Sequence, residues 1–468
     1  MDFSPLAAAI SGRILTNADD MARFLTDWRG KWTGRSLAVV QPRSTADVAA
    51  IVRWCRAERV AIVAQGGNTG LAGGATPDRS GRSIVLSTTL MNRVCKVDPI
   101  NDTLEVEAGA TLQQVQAAAQ AAGRLFPLSL AAEGSCTIGG NLATNAGGVQ
   151  VLRYGNAREL CLGLEVVTSE GEIWDGLRAL RKDNTGYDLR DLFIGSEGTL
   201  GIITAAVLKL YPSPAVQLAT LVAVPTPQAA LNLMQGARRA MGADLTACEL
   251  MSDFSLQLVE AHVPTASLPL ADRSAWYVLL ELSSQRNEAQ ARAALVDFLE
   301  EALASGIASD AVLSESIAQF NALWALREDI SEAQAAAGST IKHDISLPAS
   351  RLAEFVEAAA VAMVAAYPSL RLVVFGHLGD GNLHYNVSPA SAPADQAAFL
   401  SLEAPINRLV HDLVVAHGGS ISAEHGLGVL RRDEAARYKS PVELRLMQAL
   451  KAALDPCDLM NPGKFLPP

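Results

Sequence analysis

Much of what usually labels a sequence is missing from this 468-residue chain. Its six cysteines (Cys55, Cys95, Cys136, Cys161, Cys248, Cys457) are scattered, with no Cys-x-x-Cys pair and no compact framework, which argues against disulfides and suits a reducing compartment. No apolar run is long enough to span a bilayer; the longest lies near residues 358–366. The opening residues, MDFSPLAAAISGRILTNADDMARF, carry no basic leader before an apolar stretch, so no signal peptide is expected and the chain is placed in the cytoplasm. Lysine and arginine form no block and the formal net charge is −11, which argues against a nucleic-acid surface. An anionic substrate must therefore be met by local positive charge. Also absent are a Walker loop and a Gly-x-Gly-x-x-Gly between strand and helix, so nicotinamide and ATP folds are disfavoured. There is no repeat of fixed period and no low-complexity tract.

What is present reads as a soluble, globular chain, 49% hydrophobic and 19% charged, too long for a single core. Residues 36–212 alternate short β-rich runs with glycine clusters and helices, an α+β pattern; one helix is expected over 45–58, where Val48, Ile51, Val52 and Cys55 recur at three and four. Pro212-Ser213-Pro214 marks a boundary, and three segments are expected: 1–212, 213–415 and 416–468. In the second, strands at 218–224 and 276–282 and a helix at 288–305 suggest an antiparallel sheet with helices on one face.

Two glycine-rich runs dominate the first half, QGGNTGLAGG at 65–74 and GSCTIGGNLATNAGG at 134–148. Glycine lets the backbone approach an anion closely, and the interleaved Ser, Thr and Asn add neutral donors, which suits a pyrophosphate held without lysine. On composition alone such glycines serve turns as readily as ligands. In the second half, VFGHLGDGNLHYN at 374–386 reads as two strands around Asp380-Gly381, a two-residue type I′ hairpin signal. That register places His377 opposite His384 and Leu378 opposite Leu383, with Asn386 on the histidines' face. Two imidazoles so placed can converge on one ion, or serve equally well as structural hydrogen-bonding groups. A metal would need a carboxylate beside them, for which Glu424 in Glu424-His425-Gly426 is the candidate. Arg327 and Ser331 are four apart on an expected helix, and an alternating strand at 340–348 puts Lys342, Asp344 and Ser346 on one side. Arginine and lysine together suit a dicarboxylate, although spacing alone also fits solvated surface charges.

The two glycine runs are followed by LRKDNTGYDL at 180–189 and LFIGSEGTLGIIT at 192–204. In this order they resemble the FAD-binding domain of the vanillyl-alcohol oxidase/p-cresol methylhydroxylase (PCMH) flavoproteins. With the histidine hairpin and Glu-His-Gly added, the chain is similar over nearly its whole length to the D-2-hydroxyacid dehydrogenases of that family. The resemblance implies a PCMH-type FAD domain and a substrate domain whose antiparallel sheet is covered by helices. It implies FAD contacts from Gly66, Gly67, Asn68, Thr69, Gly70, Leu71, Ser135, Thr137, Gly139, Gly140, Asn141, Thr144, Asn145, Gly148, Glu197, Ile203 and, in the tail, Asn461. Asn68 stands where some relatives attach flavin through a histidine, so noncovalent FAD is expected. It further implies zinc or another divalent ion on His377, His384 and Glu424, His425 as base, and Arg327, Ser331, Lys342 and Asn386 on the substrate. Ser331 stands for the family's threonine. The implied substrate is D-2-hydroxyglutarate, with D-malate open; the implied acceptor is an electron-transfer flavoprotein or quinone-linked carrier, and the implied assembly a homodimer. Two rivals stand beside this reading: a D-lactate or glycolate dehydrogenase on the same scaffold, and a flavin-binding subunit without chemistry of its own.

Overall fold

The computed structural model describes residues 1–390 and 396–467, which divide into two compact units. The first comprises Met1–Gly148, Gly155–Ser213 and Glu424–Pro468, and the second Val149–Tyr154 and Pro214–Ala423. The fold is α+β, as the residue pattern suggests.

In the first unit, strands Val39–Gln41 and Ala61–Gln65 run parallel to the central strand Ser83–Ser87, and Arg13–Leu15 pairs antiparallel at the edge. Helix Thr45–Glu58 has the expected bounds. Ser44 caps its first turn by accepting from the Asp47 N–H, and Arg59 in a left-handed conformation ends it. Its buried face (Val48, Ile51, Val52, Cys55) joins a core with Ile62, Ile84 and Leu86, to which the tail adds Leu459 and Met460. A second, five-stranded antiparallel sheet is built on Ile202–Lys209, flanked by Thr103–Glu107 and Cys161–Val167.

The second unit carries a seven-stranded, wholly antiparallel sheet. In order its strands are Asp310–Leu313, Val216–Val224, Trp276–Ser284, Leu245–Ser252, Leu370–His377, Asn382–Pro389 and Asp344–Ser346. Helices cover both faces, not the one expected. Helices Asp253–His262, Ile317–Glu328 and Ile330–Ala337 pack in a core with Leu221, Met251, Leu279 and Phe375. The alternate residues Thr220 and Val222 are equally buried, and helix Pro227–Met241 packs on the same central strands. The sequence carries this in its near-continuous apolar runs, LATLVAV and WYVLLEL, each broken by one polar residue, where a sheet with one wet face would alternate.

The hairpin register also differs from expectation. His377 pairs with Asn382, and His384 with Phe375 on one side and Asp344 on the other. The turn is a four-residue loop closed by the Gly381 N–H donating to His377 O (3.0 Å). Gly381 has φ +83°, whereas Asp380 is not left-handed, so this is no type I′ turn. The slip is two residues, and because strand faces alternate with period two, the histidines keep a common face. Two further expectations fail locally. Asp329 ends one helix at Glu328 and the next starts at Ile330, so Arg327 and Ser331 do not share a continuous helix. The strand expected over 340–348 is regular only at Asp344–Ser346, with Ile341 bridged separately to Val387, so Lys342 lies outside the alternation.

Candidate active site

The two glycine runs of the first unit form one cleft. Gly66 and Gly67 follow strand Ala61–Gln65, and a Cβ on Gly67 would sit 1.9 Å from Ser135 O; one on Gly66 would lie 2.2 Å from Thr137 Oγ1. These glycines are therefore required by the approach of the two loops, while Gly70 faces open space. Gly66, Gly67, Asn68, Thr69, Gly70, Thr137, Gly139, Gly140, Asn141, Thr144, Glu197 and Ile203 all line the cleft, and so does His425.

The other expected cofactor residues do not line it. Ser135 supplies the carbonyl against Gly67, Asn145 Oδ1 accepts from the Arg158 N–H (3.0 Å), and a Cβ on Gly148 would meet Ser129 O. Leu71 is likewise outside the lining. Asn461 borders a neighbouring cavity instead, where its Nδ2 donates to Glu197 O (2.8 Å) and Gly74 O (2.9 Å).

Within the lining, the Asn141 Nδ2 and Gln65 Oε1 atoms are buried and have no hydrogen-bonding partner in the chain. A cleft of neutral donors, glycine backbone and unsatisfied amides fits an extended dinucleotide such as FAD.

Glu197 does more than line the cleft. Its backbone is left-handed (φ 52°), uncommon for a residue with a long side chain. Its buried carboxylate accepts from the Leu427 N–H (2.7 Å) and the Gly428 N–H (2.8 Å), pinning the turn that presents His425. Burial raises its pKa, against the pull of those N–H groups and of Lys464. Gly426 is left-handed, and a Cβ there would lie 2.6 Å from Glu197 Oε1. The Ser-Glu-Gly and Glu-His-Gly motifs are thus one structural unit. A Cβ on Gly147 would lie 2.8 Å from Glu424 Oε1, so the Glu424 carboxylate packs against this glycine.

In the second unit, the His377 and His384 rings lie 6.1 Å apart on one face of the sheet. Glu249, opposite His377 in the neighbouring strand, accepts from His377 Nδ1 at 2.7 Å and from Arg327 Nε at 2.8 Å. Burial opposes its ionisation, but His377 and Arg327 outweigh it and hold its pKa at about 2. Reading the sequence missed Glu249; the available signal was a lone carboxylate inside an apolar strand, LTACELMS, because buried acids are rarely unpaired.

Arg327 is buried, whereas Ser331 is exposed and Lys342 half-buried. Both ends of the Asn386 amide are engaged, Nδ2 donating to Gln334 Oε1 (3.0 Å) and Oδ1 accepting from the His343 N–H (3.1 Å). The Ala423 N–H donates to the carbonyl of Asp344, the residue paired with His384. A neutral imidazole whose Nδ1–H is held by a carboxylate presents Nε2 as a ligand, so the histidine pair fits a divalent ion.

Known proteins resemble this chain in both sequence and fold. A family pattern described as FAD binding domain matches residues 36–176, and one described as FAD linked oxidases, C-terminal domain, matches 213–465. Among solved structures, p-cresol methylhydroxylase superposes with a TM-score of 0.75 at 17% identity, covering 97% of this chain and 94% of that one. Alkyldihydroxyacetonephosphate synthase superposes with a TM-score of 0.74 at 18% identity, covering 96% and 82%. The fold is therefore that of a PCMH-type flavoprotein.

Sequence relatives are much nearer. D-2-hydroxyglutarate dehydrogenase of Bos taurus, a mitochondrial protein, is 40% identical over 100% of this chain and 83% of its own length. The Xanthomonas citri protein of that name is 40% identical over 97% and 94%. The chain belongs to the FAD-linked oxidase family, and it is an FAD-dependent dehydrogenase.

Proposed function

We propose that this protein oxidises D-2-hydroxyglutarate to 2-oxoglutarate. The observation that carries the reading is 40% identity, over the whole chain, to a dehydrogenase named for that substrate. His377, His384 and Glu424 would hold a divalent metal, zinc by donor type, and the metal would acidify the substrate's C2 hydroxyl. Noncovalent FAD, held by the cleft, supplies the two-electron acceptor.

His425 takes the hydroxyl proton as the C2–H bond gives up its hydride, so that a C=O forms and two electrons leave the substrate. Glu197 keeps that imidazole in place through the Leu427 and Gly428 N–H groups. Arg327 and Lys342, assisted by Ser331 and Asn386, grip the distal carboxylate and set the D configuration. Electrons then pass to an electron-transfer flavoprotein or a quinone-linked carrier, and the active protein is a cytoplasmic homodimer.

The test is anaerobic bleaching of the oxidised flavin band by D-2-hydroxyglutarate, its L enantiomer, D-malate or D-lactate, with and without chelation. Bleaching by the D dicarboxylates, lost on chelation and restored by zinc, is expected. Faster bleaching by D-lactate would replace the substrate assignment with that of a monocarboxylate dehydrogenase. No bleaching by any acid would leave a flavin-binding subunit. His425→Ala should keep flavin and metal yet lose flavin reduction, and normal turnover in that variant would remove His425 from the mechanism.

A further inference from the structure

Glu249 is a wholly buried acid, the one charged residue in a strand buried along its whole length. A carboxylate is expensive to bury unless each oxygen is engaged, and here each oxygen has a different partner: His377 Nδ1 at 2.7 Å and Arg327 Nε at 2.8 Å. Its place is set by backbone register, since Glu249 lies directly opposite His377. The contacts close into a ring. The Arg327 guanidinium lies 4.9 Å over the Phe375 ring, and Phe375 lies 4.8 Å from the His384 ring, itself 6.1 Å from His377.

We propose that Glu249 is a positioning residue serving the metal and the substrate arginine together. By accepting from His377 Nδ1 it selects the tautomer whose Nε2 carries the lone pair. By accepting from Arg327 Nε it fixes the guanidinium plane and leaves Nη1 and Nη2 as the donors for a carboxylate. Only a carboxylate does both. Glutamine has one acceptor oxygen, and its amide N–H groups would oppose whichever N–H was left over. The inference rests on the reading of His377 as a metal ligand and Arg327 as a carboxylate grip.

The test compares wild type, Glu249→Gln, Arg327→Met and His384→Ala. Each is stripped with a chelator and titrated with zinc against a chromophoric competitor, then assayed for KM with D-2-hydroxyglutarate. Flavin content reports on the first unit and thermal unfolding on the fold. Glu249→Gln is expected to weaken zinc binding by roughly 10–100-fold and to raise KM at least as much as Arg327→Met does. Arg327→Met should raise KM while zinc affinity stays within about threefold of wild type, because the Glu249–His377 bond survives.

Wild-type zinc affinity in Glu249→Gln overturns the proposal, as does equal loss of zinc in Arg327→Met, which would mean general loosening. Should Glu249→Gln fail to fold, the double variant Glu249→Gln/Arg327→Met removes the stranded guanidinium; tight zinc binding there overturns the proposal too. Wild type binding zinc no better than His384→Ala overturns the metal reading itself, an outcome distinct from tight zinc in both wild type and Glu249→Gln.

Discussion

In the first unit a polar ligand is met by backbone: Gly66 and Gly67 let two loops touch, and the side chains facing the cleft are mostly small and neutral. In the second unit the polar cluster is built from side chains on and beside a sheet, where Glu249 is held by both Arg327 and His377. The first arrangement tolerates little added volume, because the space beside Gly67 is filled by the Ser135 main chain and that beside Gly66 by the Thr137 hydroxyl. The second tolerates little change of charge, because buried Glu249 has each oxygen engaged by a different partner.

The sharpest break of that contrast is a single methyl group. Gly67→Ala sets a Cβ against Ser135 O, a backbone atom, and is expected to cost roughly 3 kcal/mol or more and to remove most of the bound flavin. Gly70→Ala meets nothing in the chain and should change stability by less than about 0.5 kcal/mol. Flavin absorbance per chain and thermal unfolding would check both. Equal losses in the two variants would mean that the glycines serve general flexibility and not the contact of the loops.

Next in size is Glu197→Gln, which tests whether the first unit too depends on a buried charge. Glutamine has one acceptor oxygen for two N–H groups, so either Leu427 or Gly428 is left unsatisfied at about 1–3 kcal/mol. With His425 in the loosened turn, turnover should fall on the order of 10–100-fold while flavin remains bound. Unchanged turnover would show that the turn holds without the carboxylate.

How much of this was legible in the sequence follows the same contrast. The glycine cleft could be read because its residues are close in sequence and their order is distinctive; helix Thr45–Glu58 could be read because its cap and periodicity are local. The hairpin was visible but its register was not, since a four-residue loop with one left-handed glycine carries the same Asp-Gly signal as a two-residue turn. Parity kept the histidines on one face despite the error. Glu249 lies 128 residues from His377, and no local pattern encodes that pairing. Arg327 and Ser331, four apart, were separated by a helix break at Asp329 that spacing does not reveal.

The tail offers a pH test. Lys464 donates to the Gly73 and Thr76 carbonyls, and burial pushes its pKa down to about 8, with Asp78 and Glu197 pulling the other way. A lysine whose folded pKa is lowered binds its proton more weakly in the native state than in the unfolded one. Its contribution to stability is therefore fully present above the unfolded value, near 10.5, and lost as pH falls through about 8. Relative to Lys464→Met, the wild-type protein should gain on the order of 1–2 kcal/mol between pH 7 and pH 10, read from paired denaturation curves. Parallel curves would place the ammonium in a solvated environment.

The smallest effect is expected where the grip assigned to the second unit runs out of buried partners. Ser331 is exposed beyond the helix break, while Arg327 is buried on Glu249. Ser331 would meet the distal carboxylate across solvent, where a hydroxyl hydrogen bond exchanges against water for little net gain. Ser331→Thr keeps that hydroxyl and adds one methyl at a position with room for it, so KM for D-2-hydroxyglutarate should move by less than about twofold and stability by less than about 0.5 kcal/mol. A KM lowered tenfold would mean that the methyl is buried when substrate binds. The two helices meeting at Asp329 would then close over the carboxylate, and the second unit would owe its selectivity to packing as well as to charge.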